Sequence, residues 1–319
     1  MPLVLAVLLA GCADPADRAG EQLGLQALTL NAALVRARQG IEAIRDEIGR
    51  TFAATDLDRV PGDLDPDCAY FEGKAFYKKD VGGCGMWASG LIPIGEAERR
   101  RIRVLRGFEQ PIIDYARANE MVELAYVLTT DHVGMFYPPF DAVSLLPPGV
   151  DFHEAYKPFS LTEPESDPGR KTVWVDTYID ATGNGYVSTA SAPAYAGDAF
   201  LGAVGCDIML EKVGRTFLRK DRMQMLVDRH SLVLCATEPL RRALPLQALG
   251  IYYYTDSVET DEYAPEEFRL ANNPDESIRR LGETLFREDR FHVTLDGEHY
   301  TCSVATVPET GWRLVELTR

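Results

Sequence analysis

The side chains with the clearest chemical potential lie on one predicted strand of the sequence, residues 171–180. Because alternate side chains of a strand project from opposite faces, one face is aliphatic. The other face carries two carboxylates and two aromatic rings, from Trp174, Asp176, Tyr178 and Asp180. The hydrophobic core explains the aliphatic face. Carboxylates beside aromatic rings can instead bind a cation, through charge-assisted hydrogen bonds and cation–π contacts of about 0.5–2 kcal/mol.

A third carboxylate, Asp207, ends a later predicted strand, residues 200–207. Alternation places Leu201, Ala203 and Gly205 on its face, and these mostly small residues leave space in front of Asp207. The other face carries Phe200, Val204 and Cys206, which predicts Cys206 as a core thiol.

Each of these residues also has a structural interpretation that the sequence leaves open. Asp180 could brace the turn at residues 182–185, and Asp207 could be the N-cap of a helix that begins at Ile208. Trp174, near the start of its strand, could simply pack against the core. Tyr126 and Tyr137, on neighbouring strands, are predicted to be core residues.

The spacing of these residues resembles the ligand-binding lobe of double Cache domains, the tandem PAS-like extracytoplasmic sensors of bacterial chemoreceptors and kinases. The resemblance rests on Tyr178-x-Asp180, Ser188-Thr189, and Phe200-Leu201-Gly202 leading to Gly205-x-Asp207. It implies that Tyr178, Asp180 and Asp207 hold the ammonium group of a ligand. The protein is then expected to bind a small molecule and to act through a separate signalling or transport partner.

One departure from the family pattern bears on the ligand. Amino-acid-binding double Cache domains carry an upstream Arg-x-Trp-Tyr cluster that grips the ligand carboxylate. The corresponding stretch here, residues 156–162, lacks that cluster. An amine or another small polar metabolite is therefore expected in preference to a standard α-amino acid.

The amino terminus resembles a bacterial lipoprotein export signal. An uncharged, Leu-rich stretch ends in Leu9-Ala10-Gly11-Cys12, which is similar to a lipobox. Residues 1–11 are then a signal peptide, and Cys12 carries a lipid that tethers the chain to the outer side of a membrane. The alternative is an ordinary buried N-terminal helix with a chance cysteine.

The remaining pattern predicts an α+β protein in which a long helix is followed by two PAS-like lobes. Apolar residues recur every three or four positions from Ala27 to Phe52, as expected for one helix after a short tether, residues 12–55. Residues 56–207 form the predicted membrane-distal, ligand-binding lobe, and residues 208–319 a second, smaller lobe. Asp296-Gly297 predicts a hairpin in the second lobe.

The composition and the absence of known motifs disfavour several classes of function. With 33 basic and 49 acidic residues the formal charge is -16, which disfavours nucleic-acid binding. No Gly-x-Ser-x-Gly, phosphate loop or His-Glu-x-x-His occurs, so no enzyme activity and no cofactor are predicted. The histidines and cysteines show no metal-ligand spacing, so no metal site is predicted.

The cysteines could form disulfides in an oxidising compartment. Cys68 could pair with Cys84 across one loop, and Cys235 and Cys302 lie in predicted strands of one lobe.

A second function remains open from the sequence. The chain could be a lipid-anchored adapter with a vestigial pocket, in which the helix from Ala27 to Phe52 makes the important contact.

Overall fold

A computed structural model describes residues 15–63, 68–71, 75–78, 82–180, 185–244 and 269–319. The predicted signal peptide, Cys12 and a strand predicted at residues 251–255 lie outside these residues. Within the described residues, no helix is both long and apolar enough to cross a membrane.

The chain divides into two compact units. Of the described residues, 35–212 belong to the larger unit, and 15–34, 213–244 and 269–319 belong to the smaller one. The division of the chain into lobes at residues 207 and 208 stays a prediction about domains.

Helix α1, Pro15–Ala54, confirms the predicted long helix and begins earlier than the apolar repeat. Its buried side chains follow the three-and-four spacing of a helical stripe. These include Leu23, Ala27, Leu30, Leu34, Ala37, Ile41, Ile44 and Ile48. In the larger unit, the hydroxyl of Tyr115 donates to the carbonyl of Ala37 at 2.9 Å. The stripe therefore drives α1 onto the core, as burial of apolar surface requires.

The larger unit is built on an antiparallel sheet. Its strands are β1 Cys68–Phe71, β2 Ala75–Lys78, β3 Gly85–Ala88, β4 Val122–Thr129, β5 Val133–Tyr137, β6 Val173–Ile179, β7 Tyr186–Ala196 and β8 Ala199–Met209. In the described part of the chain they form eight strands in the order β1-β2-β3-β5-β4-β8-β7-β6. Strands β4 to β8 confirm the sequence predictions. Strands β1 to β3 have only four residues each, which is too short for alternation to predict them from the sequence.

Helices lie on both faces of this sheet. The face of Cys206 carries α1, together with α2, Glu96–Arg106, and α3, Glu109–Ala118. Gly107 ends α2 and separates it from α3. Short helices from the loop after β5 cover the other face: α4 Ala142–Leu145, α5 Phe152–Ala155 and α6 Lys157–Ser160.

The smaller unit repeats the combination of a sheet with helices. After α7, Leu210–Phe217, come β9 Met223–Val227, β10 Val233–Ala236, α8 Glu238–Ala243, α9 Glu276–Thr284, β11 Arg290–Leu295, β12 Glu298–Val307 and β13 Trp312–Thr318. The antiparallel strand order is β10-β9-β13-β12-β11. Asp296 and Gly297 both have positive φ, at 49° and 77°, which confirms the predicted hairpin turn. The α+β class and the two helix-flanked sheets are therefore confirmed.

The cysteines are not paired as the sequence allowed. Cys84, Cys206, Cys235 and Cys302 carry free thiols. Two strands, β9 and β13, separate the strands of Cys235 and Cys302, which places them too far apart for a disulfide. Cys206 is fully buried, and burial raises the pKa of its thiol to about 12. The prediction of a core thiol at Cys206 is confirmed.

The apolar stripe of α1 gives a test of this architecture. Replacing fully buried Ile41 with Ala should lower the free energy of unfolding by about 2–5 kcal/mol, since the cavity left behind does not fully collapse. Gln39→Ala, two positions away on the exposed side of α1, should change it by less than about 0.5 kcal/mol. Urea unfolding of both variants measures the difference, and equal effects would contradict this packing.

Candidate functional site

A pocket lies in the larger unit between the sheet and the short helices that cover it. Its empty volume is about 650 Å³, including the opening to solvent. That space exceeds what one water requires. The described lining is Trp87, Leu124, Tyr126, Leu128, Gly134, Phe136, Phe140, Leu146, Phe152, Tyr156, Pro158, Tyr178, Asp180 and Asp207.

The structure brings together three of the five predicted ligand-binding residues at this pocket. Asp180 and Asp207 are 4% and 3% exposed, and Tyr178 is also buried. Asp207 lies within β8, which continues to Met209 before α7 begins at Leu210. Asp207 is therefore not the N-cap of the following helix. The turn that Asp180 could brace lies at residues 182–185, of which only Gly185 is described.

Hydrogen bonds link the buried groups of neighbouring strands. Thr189 is the partner of Asp207 in the antiparallel register, and its hydroxyl donates to Asp207 Oδ1 at 2.7 Å. The Tyr178 hydroxyl lies 2.6 Å from Thr189 Oγ1 and 3.4 Å from Asp207 Oδ1. The neighbouring hydroxyl groups therefore hold one carboxyl oxygen of Asp207 in place.

The electrostatics of Asp207 follow from burial. Burial raises its pKa to about 8, and the nearby charge of Asp180 adds to this effect. Hydrogen bonds from Thr189, Tyr126 and Tyr178 act in the opposite direction without cancelling it. The carboxyl group of Asp207 is therefore mainly protonated at neutral pH, and a cation beside it would favour its ionised form.

Tyr126 belongs to the site, although the sequence predicted a core role. It is opposite Gly205 in the register of β4 and β8. A Cβ atom on Gly205 would lie 2.5 Å from the Tyr126 ring and 2.7 Å from its hydroxyl oxygen. Glycine at 205 thus lets the ring lie flat against the strand beside Asp207. The cross-strand register that shows this is not visible in the sequence. Tyr137 is half-buried, and its hydroxyl accepts a hydrogen bond from Arg117.

The rest of the pocket is aromatic and apolar. Phe152 of α5, and Tyr156 and Pro158 at the start of α6, cover the sheet. The Ser191 hydroxyl donates to the Pro158 carbonyl at 2.6 Å, which holds this segment on β7. Among the described lining residues, the acidic ones are Asp180 and Asp207, and no Lys or Arg occurs.

Trp174 and Asp176 do not join the other predicted residues. Val175 is opposite Thr189 while Tyr178 is opposite Val187, so β6 has one extra residue between these pairs. Such a bulge reverses the alternation of side chains. Trp174 is opposite Ala190, the partner of Cys206, so it faces the helical side of the sheet. The prediction that Trp174 and Asp176 share a face with Tyr178 and Asp180 is wrong, and neither lines the described pocket.

A second irregularity corrects the prediction for β8. The register shifts near Gly202, whose φ is 138°. Phe200 consequently packs on the pocket side, with the cluster that contains Ala203 and Phe159. Leu201 instead lies beside Ile48 of α1.

This architecture is the fold of the Cache-type extracellular ligand-binding domains of chemoreceptors and histidine kinases. The ligand-binding domain of the Pseudomonas fluorescens chemoreceptor CtaA, in complex with L-alanine, is similar with a TM-score of 0.52 and 14% identity over 96% of this chain and 97% of that one. The ligand-binding domain of the Pseudomonas aeruginosa chemoreceptor PctC, in complex with GABA, has a TM-score of 0.52 and 15% identity over 96% and 100%.

The extracellular domain of a putative histidine kinase, soHK1S-Z6, is also similar. Its TM-score is 0.52, with 13% identity over 95% of this chain and 94% of that one. No family model and no curated protein matches the sequence.

The raised pKa of Asp207 predicts a specific pH dependence of stability. The unfolded carboxyl group ionises near pH 4, but the folded one does so near pH 8. Between these values the folded state binds more protons, so the contribution of Asp207 to stability falls as the pH rises. Asp207→Asn removes this loss. Its free energy of unfolding relative to wild type should therefore increase by at least about 1 kcal/mol from pH 5 to pH 8.

Urea unfolding across this pH range measures the effect. Exposed Asp221→Asn is the control and should follow the wild-type curve. Parallel curves for Asp207→Asn and wild type would contradict the buried, proton-binding carboxyl group.

Proposed function

We propose that this protein is an extracytoplasmic sensor-type lipoprotein that binds a small amine in the pocket of its larger unit. In this proposal it catalyses no reaction and reports to a separate signalling or transport protein. The observation that carries the proposal is the buried pair of carboxyl groups, Asp180 and Asp207, at one end of an aromatic pocket.

The chemistry of the pair favours a cationic ligand. Asp207 is almost completely buried and lies near the charge of Asp180. A buried carboxyl group is stable when it is protonated or paired with a cation, and an ammonium group can pair with it and supply several hydrogen-bond donors. Tyr126 and Tyr178 add aromatic surface beside the same position. Thr189 holds Asp207 in place, so the acceptor is organised before the ligand enters.

The composition of the pocket favours an amine over an amino acid. The similar domains of CtaA and PctC were crystallised with L-alanine and GABA, each of which has both an ammonium and a carboxylate group. The described lining of this pocket has no cation to pair with a ligand carboxylate. At the position where amino-acid-binding sensors are expected to grip that group, residues 156–162 contribute Tyr156 and Pro158 instead. A ligand carboxylate there would be buried without a partner.

The location and the partner are parts of the same proposal. The similar solved domains are extracellular sensors, and the lipobox-like sequence ending at Cys12 supplies a lipid anchor. In this arrangement the ligand-binding body lies outside the cytoplasm and passes its signal to a second protein. Mass spectrometry of the processed chain tests the anchor, with a diacylated N-terminal Cys12 as the expected product.

A thermal-shift panel tests ligand binding. It compares primary and quaternary amines, alkyl and aryl-alkyl, with acids and amino acids of matched size. An amine at about 100 times its Kd should raise the Tm by roughly 5 °C, because it binds only the folded state. Acids without an amine should give no shift.

Variants of β6 and β8 make the result specific. Asp207→Asn should abolish the amine-induced shift, whereas Asp176→Asn should retain it, since Asp176 does not line the described pocket. Gly205→Ala should also weaken binding at least tenfold, because the new methyl group displaces the Tyr126 ring. Equal shifts in Asp207→Asn and wild type, or no amine that binds, would overturn the proposal.

Amine binding should also depend on pH. A cation that pairs with ionised Asp207 releases the proton that this group holds below pH 8. The affinity should therefore rise with pH between 6 and 8, approaching tenfold per unit. Isothermal titration calorimetry in two buffers of different ionisation enthalpy measures the released proton, and an affinity that falls over this range would contradict the mechanism.

A lipid-anchored adapter is the second candidate, favoured by an exposed apolar pair on α1. Leu25 and Leu28 are 66% and 55% exposed and lie three residues apart on the helix surface. Under this alternative no amine binds, and Leu25→Ser with Leu28→Ser removes the interaction with the partner protein.

A further inference from the structure

Three side chains of types that can bind a metal ion lie together at the start of α5, and none of them lines the pocket described above. His132, Asp151 and His153 each offer one donor atom, and these three atoms all lie within 4.8 Å of one another. In the part of the chain that the structure describes, no other group of this kind has three members. Spacing in the sequence does not reveal this cluster, because Asp151 lies nineteen positions after His132.

The backbone holds His132 in an unusual conformation that directs it toward α5. Its φ is +56°, a region that non-glycine residues seldom adopt, and its side chain is only 5% exposed. Its Nδ1 atom accepts the amide hydrogen of Phe152 at 3.1 Å and lies 4.0 Å from Asp151 Oδ1. His132 therefore joins the turn after β4 to the beginning of α5.

The other two side chains are positioned by the start of the same helix. Asp151 is the N-cap of α5, and its Oδ1 accepts the amide hydrogen of His153 at 2.8 Å. The rings of His132 and His153 lie 5.3 Å apart between centroids. The Nδ1 atom of His153 is hydrogen-bonded to Glu163 Oε1.

We propose that His132, Asp151 and His153 bind a divalent transition-metal ion of the zinc class, with Glu163 orienting His153. Two imidazoles and a carboxylate are a ligand set suited to Zn²⁺ and poorly suited to Mg²⁺ or Ca²⁺, which take oxygen ligands. Ligand atoms around zinc lie about 3.3–3.5 Å apart, given bond lengths of about 2.0–2.2 Å. The three donors need only a small inward movement to reach that geometry, and water can fill the fourth position.

The bond between His153 and Glu163 is what a metal-binding histidine requires. A carboxylate only accepts hydrogen bonds, so the Nδ1 atom of His153 carries the proton and Nε2 keeps the lone pair that binds the metal. Metal-ligating histidines commonly donate their other N–H to a carboxylate in this way. At His132 the metal takes the place of the Phe152 amide as the partner of Nδ1. The site thus lies directly beside Phe152, a residue that lines the pocket.

Titration of the full chain with ZnCl₂ tests the site. Isothermal titration calorimetry should show saturable binding of one equivalent. Zinc should also raise the Tm by several degrees, reversed by EDTA, whereas MgCl₂ should have no effect. His153→Ala, at a side chain that is 40% exposed, should abolish this binding, and His230→Ala, at an exposed histidine of the smaller unit, should leave it unchanged.

Two conservative variants separate metal binding from a structural role. Asp151→Asn keeps an N-cap of equal quality but should weaken zinc binding at least tenfold, since a neutral amide is a poor ligand. Glu163→Gln should weaken it by about 10- to 100-fold. Asp207→Asn should bind zinc normally, so failure here is distinguishable from failure of the amine proposal. No saturable binding, or equal zinc affinity in His153→Ala and wild type, would overturn the inference.

Discussion

The site depends on a carboxyl group that is buried before any ligand compensates it. Asp207 lies under a cover of aromatic side chains, and the Thr189 hydroxyl bonds only one of its oxygens. Burying such a group costs free energy unless it is protonated or paired, and the raised pKa of about 8 reflects that cost. The fold therefore holds Asp207 in a state that a cation can improve. Under the proposed function, the cost of burying Asp207 is a physical reason for preferring a cationic ligand, whatever the number of contacts that the ligand makes.

Two departures from regular strand geometry make this arrangement possible. The bulge in β6 moves Tyr178 and Asp180 onto the face of Asp207, although Trp174 on the same strand faces the helices. The second shift, at Gly202, places Phe200 under the covering helices. Without the first bulge, Tyr178 and Asp180 would be directed at the opposite face of the sheet, and the pocket would lose one of its two carboxyl groups. β-bulges often redirect side chains near functional sites in this manner.

The parts of the structure that the sequence predicts are those governed by local pattern. The stripe of α1, strands β4 to β8 and the turn at Asp296-Gly297 follow from periodicity and turn chemistry. Tyr178, Asp180 and Asp207 were found because their spacing is local to two strands. Trp174 was misplaced because an extra residue in a strand leaves no mark on alternation. Tyr126 and Thr189 were missed as site residues because cross-strand register depends on tertiary pairing.

The segment that covers the pocket connects the two proposed sites. Between Tyr137 and Val173 the chain forms only short helices, and hydrogen bonds from several points hold it on the sheet, including one from the Gly149 amide to the Ser89 carbonyl. Ser191 fixes one point of this segment through the Pro158 carbonyl, and His132 fixes another through the Phe152 amide. A metal at His132 would replace the second contact with stronger bonds, next to the aromatic ring that closes the pocket. Phe152 lines the pocket and bonds to His132 through its amide. Under the two proposals, a ligand that changed the free energy of this cover at one site would change binding at the other by the same amount, because thermodynamic linkage is reciprocal.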